Sequence, residues 1–305
     1  MKRKPATRTS QASLKPIPRR LAATATAMTI VAGLGFAAPA DAALVYQMEF
    51  DNQDLTVTGT GVTPPATATL PSGGSSSFST DTPSPLSPGF SWNAVGVNNR
   101  TPILPNSSSR FQLSNAGDKM TIAAWIKWDG TVPGGQTTGI VTKRGWRFFI
   151  FDSTDGPKLQ FDWKNDGGQG TGLFNGNLAR NSIDTVPVDE WVHVALQVDT
   201  DAGLSVDRVT NGGNNATHAI RFFINGEDAG LETQAFGGGT LDPVTDSIYL
   251  ADKFANGNNA FPGLIDDARL YDEILTQEQI LAIIPEPGSL GLVAAGGALM
   301  FFRRR

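Results

Sequence analysis

Cysteine is absent from the 305 residues. That excludes disulfides, thiolate metal sites and a cysteine nucleophile. Only two histidines occur, too few for a multi-histidine zinc site. Charged residues make up 17% of the chain, and no Leu-rich or Ala/Glu/Lys-rich stretch reaches the length of a packed helix. The chain has instead 34 Gly and 19 Pro, with many Thr, Ser and Asn. That mixture suits short strands joined by turns.

Charge is unevenly placed. Lys2, Arg3, Lys4, Arg8, Lys15, Arg19 and Arg20 open the chain, and Arg303, Arg304 and Arg305 close it. Without them, 14 of the 24 basic residues and 28 of the 29 acidic ones remain between 43 and 302, a net charge near −14. Such a surface repels nucleic acid and anionic lipid. It suits divalent cations and neutral polymers such as polysaccharide.

The basic start is followed by an apolar stretch from Leu21 to Pro39 and by Ala40-Asp41-Ala42. This is the pattern of a secretory signal peptide, with cleavage between Ala42 and Ala43. At the other end, Pro285-Glu286-Pro287 precedes an uncharged apolar run from Leu290 to Phe302 and then the three arginines. The run is shorter than the roughly 20 residues that span a bilayer comfortably. The arginines would hold this end on the cytoplasmic side. The order of parts resembles the PEP-CTERM sorting signal. The resemblance implies that secretion machinery exports the chain and that the C-terminal helix anchors it transiently in the membrane. It further implies that an exosortase recognises Pro285, Glu286 and Pro287 and passes the protein to the cell envelope, surface or extracellular matrix.

Between the ends, apolar and polar residues alternate with period two, the mark of half-buried strands. Expected strands are 43–50, 120–128, 146–151, 159–163, 191–198, 220–224, 247–251 and 264–271. Asp155-Gly156 and Asn225-Gly226 read as hairpin turns. Residues 276–283 read as a helix capped by Thr276 and stopped by Pro285. Residues 55–110, rich in Thr, Pro, Ser and Gly, read as a long irregular excursion within one domain. The fold class is all-β, a two-sheet sandwich. The expected organisation is a leader to residue 42, a sandwich over 43–283 and a sorting tail over 284–305 with its own apolar helix.

The strands also carry a family resemblance. Met120-Thr-Ile-Ala-Ala-Trp125, Gly139-Ile-Val-Thr-Lys143, Trp191-Val-His193-Val-Ala195 and Phe222-Phe-Ile-Asn225-Gly226 follow in order. Phe261-Pro-Gly263-Leu-Ile-Asp266-Asp-Ala-Arg269-Leu-Tyr271 and a short helical segment from Leu275 close the series. Together they resemble laminin G-like, concanavalin A-like domains. The resemblance implies a jelly-roll sandwich whose first and last strands lie near each other.

The E-x-D-x-x-E arrangement of sandwich-fold glycosidases, which set two carboxylates on one strand face, does not occur. Nor does a Gly-x-Ser-x-Gly elbow or phosphate loop. The expectation is therefore not an enzyme but a binding or structural protein taking carbohydrate or another surface component. The alternative is a polysaccharide-active enzyme with an atypical site. Sandwiches of this kind hold Ca²⁺ with oxygen ligands. Asp51 after the first strand and Asp266 in the last are the candidate ligands. The bland reading is that Asp51 caps a turn and Asp266 bonds a loop. Trp146 and Phe236, each near glycine, are the candidate sugar-stacking residues, whereas Trp125, Trp128 and Trp163 read as core. His193, alternating with Trp191, reads as structural.

Overall fold

The computed structural model describes residues 43–71, 75, 77–83, 89–94, 101–115, 117–132, 137–163, 178–200, 220–232, 245–251 and 260–284. The strands are β1 (Leu44–Met48), β2 (Thr56–Val57), β3 (Ala66–Thr67), β4 (Phe78–Ser79), β5 (Ser91–Asn93) and β6 (Lys119–Trp128). Then come β7 (Thr137–Lys143), β8 (Trp146–Ser153), β9 (Gly156–Trp163), β10 (Leu178–Thr185) and β11 (Trp191–Asp199). The last are β12 (Ile220–Ile224), β13 (Glu227–Asp228), β14 (Ile248–Leu250) and β15 (Gly263–Tyr271), followed by helix α1 (Gln277–Ala282).

They form two large antiparallel sheets. One has eight strands in the order β13-β12-β11-β6-β15-β5-β4, with β1 also beside β15. The other has five, in the order β10-β9-β8-β7-β14. The alternation seen in the sequence sets the layers. Ile122, Ala124, Ile126 and Trp128 of β6 and Val192, Val194, Leu196 and Val198 of β11 face the main core. Phe148, Ile150, Leu159 and Phe161 meet them from the second sheet. Phe148 and Phe222 stack across the gap at 6.4 Å. Burial of apolar side chains from both inner faces is the main force holding the sheets together.

Thr121, Ala123, Trp125 and Lys127 point the other way, as period two requires. Trp125 is therefore a correction: it lies half-buried on the outer face, against His193 at 5.5 Å. Trp128 is in the core, and the Trp163 side chain lies outside the described residues. A second, smaller apolar layer covers part of this outer face, where Leu275 and Ile280 pack on Ala123, Ala195 and Phe223. The helix that brings Ile280 is short, and a capping box between Thr276 and Gln279 holds its start.

The first and last strands are direct neighbours, with Leu44 opposite Tyr271 and Met48 opposite Ala268. β6 and β15 run so close at Gly263 that a Cβ there would sit 2.1 Å from the Lys127 carbonyl oxygen, so only glycine fits. Asn225 (φ 51°) and Gly226 (φ 80°) make the tight turn after β12. The excursion over 55–110 is knitted into the domain. Leu55, Val57, Trp92 and Leu104 join the main core, and Trp92 stacks on Phe50 at 5.8 Å.

Candidate functional site

The pairing of β1 with β15 brings the two expected metal ligands into one neighbourhood. After β1 the chain turns sharply, with Phe50 at φ 61°. β15 carries an irregularity between Asp266 and Arg269, with Asp267 at φ 42°, the local kink a bulge produces. Glu49, Asp51, Asp266 and Asp267 act on one another electrostatically here. The Arg269 Nε donates to Asp267 Oδ1 at 2.7 Å, and Gln47 Nε2 donates to the same oxygen at 3.1 Å. Asp266 is 3% exposed. Its Oδ1 accepts from the Asp267 N–H at 2.8 Å. Burial, then the charges of Asp267, Asp51 and Glu49, push its carboxyl up to about 8. Burial and the same neighbours also raise Glu49 and Asp51.

This excess of negative charge and the all-oxygen donor set fit a hard divalent cation. Among the described residues, however, no three His, Asp or Glu side chains converge to hold a metal ion. Asp51 and Asp266 would need backbone carbonyls and water as further ligands.

The stacking residues fare differently. Trp146 is a correction: it is fully buried, tilted against Phe161 at 6.3 Å, and its Nε1–H donates to the Phe111 carbonyl at 2.7 Å. Its strand position, in step with Phe148 and Ile150, turns it inward. Phe236, Ala42 and Pro285, Glu286 and Pro287 lie outside the described residues. His193 is 2% exposed. Burial and the Arg269 charge push its imidazole down to about 3, so it stays neutral.

The hydrogen bond from Trp146 leads to a feature the sequence did not signal. Residues 105–115 are irregular, with Asn106, Phe111 and Leu113 at φ 52°, 50° and 54°. Several bonds pin them. Tyr46 Oη donates to the Asn106 carbonyl at 3.1 Å. The buried Lys143 ammonium donates to the carbonyls of Ser107, Ser108 and Asp246 at 3.1, 2.9 and 2.6 Å. Thr200 Oγ1 donates to Asn115 O at 2.7 Å. This pinned segment, with Val45 and Asp272, walls a cavity of about 390 Å³. Arg110, Phe111, Gln112, Asn115, Asp118 and Lys119 face it, with Ser109 and Ser114. Gln112, Ser109, Ser114 and Asp272 have no side-chain hydrogen bond among the described residues. A held wall carrying the unengaged Gln112 amide, two free hydroxyls and one aromatic ring is the make-up of a polar ligand site.

Lys143→Met would leave three carbonyls without their donor in a place closed to water. The expected loss is about 2–4 kcal/mol of stability, read in a urea melt. An unchanged melt would show that water replaces the ammonium.

The outer face of the five-stranded sheet carries carboxylates too. Asp162 ion-pairs with Arg147 opposite it on β8, and Glu232 with Lys158. Each is matched by a cation. The raised acid and free carboxylate that glycoside hydrolysis requires are not arranged among these described residues.

Two antiparallel sheets, a terminal strand pair and a rim cavity define a lectin-type sandwich. The chain belongs to the concanavalin A-like lectin/glucanases superfamily, whose laminin G model matches residues 104–281, more than half of it. No curated protein matches the sequence. Among solved structures, the chain is similar to domain 4 of AbnA, an extracellular arabinanase from Geobacillus stearothermophilus, determined in complex with arabinotriose. Identity is 18% and the TM-score 0.52, over 80% of this chain and 99% of that one. It is also similar to the binding domain of botulinum neurotoxin DC in complex with SialylT, at 13% identity and a TM-score of 0.50, over 79% of this chain. It spans 50% of that neurotoxin chain. At such identities the likeness is one of fold.

Proposed function

We propose that this chain is an exported carbohydrate-binding protein of the cell surface or matrix. The observation that carries this reading is the cavity beside β1, whose walls are held by the protein while Gln112, Ser109, Ser114 and Asp272 are left unengaged. Sugars present hydroxyls that both donate and accept, and their apolar C–H patches stack on aromatic faces such as that of Phe111. The two similar structures, determined in complex with arabinotriose and with SialylT, support the ligand class. The ion-paired carboxylates of the other sheet favour binding over hydrolysis.

A glycan array containing arabino-oligosaccharides and sialylated glycans tests the reading. Gln112→Ala and Asp272→Ala should each weaken any hit at least tenfold, roughly 1.4 kcal/mol, with little change in melting. A silent array, or hits indifferent to both changes, would sink it.

Delivery in this proposal rests on the two ends. Ala40-Asp41-Ala42 directs export, and Pro285-Glu286-Pro287 with its apolar run and arginines presents the protein to an exosortase. Among the described residues no helix is long and apolar enough to cross a membrane. The same proposal includes one structural Ca²⁺ on Asp51 and Asp266, where it would neutralise the acidic cluster and tie the first strand to the last.

A further inference from the structure

The chain enters the sandwich as soon as the leader ends. β1 starts at Leu44, which pairs with Tyr271 and packs beside the small apolar layer under α1. Ala43 is exposed, and its backbone N–H donates to the Glu273 carboxylate. That carboxylate is held in place. Glu273 is half-buried, its carbonyl accepts from Thr121 Oγ1 at 2.6 Å, and Thr121 Oγ1 accepts from the Leu275 N–H at 3.2 Å. An amide N–H answers only part of a full negative charge, whereas an ammonium on the same nitrogen would make a charge-assisted bond.

We propose that the bond between Ala42 and Ala43 is the one hydrolysed on export, and that the α-ammonium it releases docks on Glu273 in the mature protein. Water adds across the peptide bond. Ala42 leaves with the leader as a carboxylate, and the Ala43 nitrogen becomes an ammonium. Alanines also stand at 37, 38 and 40, so small-residue preference leaves several bonds open. Cleavage at an earlier bond leaves residue 43 an amide, and cleavage one bond later removes the nitrogen that faces Glu273. Val45 and Asp272, each close in the chain to the docked pair, line the cavity. This inference rests on the export reading above.

The test uses the full-length gene in a host with the export machinery. Intact mass and N-terminal sequencing of the exported protein should show a start at Ala43; any other start overturns the proposal. Exported wild type and Glu273→Gln are then melted with the N-terminus free and after selective α-acetylation. Acetylation should lower the wild-type midpoint by about 2–4 °C and leave Glu273→Gln unmoved. Equal shifts in both, or no shift in the wild type, overturn the ion pair. If Glu273→Gln does not accumulate, Glu273→Asp takes its place and should lose part of the acetylation effect; an unreduced effect overturns it. Glycan binding is measured on the same samples. Silence there sinks the carbohydrate reading and leaves the N-terminal result standing.

Discussion

In chelator, the thermal midpoint should fall as pH rises from about 6.5 to 8, and Asp266→Asn should remove most of that fall. Asp266 has a folded-state value of about 8 against an ordinary 3.8. Between those values the folded chain holds a proton that the unfolded chain has released. Stability therefore falls as pH rises through this window, by up to about 1.4 kcal/mol per pH unit. His193 acts oppositely at its lower end. It is held neutral down to about 3 against an ordinary 6.5, so folding gains stability as pH rises to 6.5. The two slopes oppose each other below 6.5, which leaves the acidic effect visible above it.

The groups facing Asp266 are Asp267, Asp51 and Glu49, with Trp125 opposite it on β6 and Arg269 bonded to Asp267. Burial raises Glu49 and Asp51 as well, so their slopes have the same sign. Across 1.5 pH units the loss from Asp266 is about 1.6 kcal/mol, or roughly 3–6 °C for a domain of this size. Lys143, lowered to about 8 by burial, opposes the fall only at the top of the window, where the folded chain starts to release a proton that the unfolded chain keeps. Asparagine keeps an oxygen to accept from the Asp267 N–H and carries no charge, so the Asp266 share of the slope should vanish and only the smaller share of Glu49 and Asp51 remain. A midpoint that is flat in the wild type, or equally steep in Asp266→Asn, would refute the electrostatic account.

Calcium should act in the opposite sense. It binds ionised carboxylates, so it should raise the midpoint more at pH 8 than at pH 6.5. At a hundredfold excess over its Kd the gain is about 2.7 kcal/mol. Asp266→Asn and Asp51→Asn should each abolish it. No shift with calcium at pH 8 counts against the ion and leaves the pH prediction intact.

The second large effect concerns Trp146. Trp146→Ala should cost about 3–5 kcal/mol, the usual result of emptying a buried aromatic site. Trp146→Phe is the more informative change. It keeps most of the apolar volume and loses the bond to the Phe111 carbonyl. The fold should persist with a lower midpoint, while ligand affinity drops because the cavity wall is no longer held. A surface stacking residue would behave otherwise, since phenylalanine also stacks on sugars. Unchanged affinity with unchanged melting in Trp146→Phe would refute the anchoring role.

Much of the architecture was open to inspection in the chain. Period-two alternation placed β6, β8, β9, β11 and β15, because inner and outer faces of a half-buried strand take different residues. Asn225-Gly226 announced its turn because few residues tolerate two consecutive positive φ angles. Short strands such as β2 and β3 are too brief to show any period. The adjacency of β1 and β15 followed from resemblance, and it brought Asp51 and Asp266 into one neighbourhood as expected.

Trp146 shows where reading along the chain stops. A neighbouring glycine suggested exposure, yet burial depends on what the opposite sheet places over the strand. The cavity is a stronger case. Its walls come from β1, from residues 109–115 and 117–119 and from Asp272, and the bonds that hold them start from Tyr46, Lys143, Trp146 and Thr200. No local pattern encodes that convergence, since it is a sum of long-range contacts. Alternation, turn residues and terminal signals are local physics and can be read in order. Which polar groups end up unengaged around one space is settled when the two sheets close.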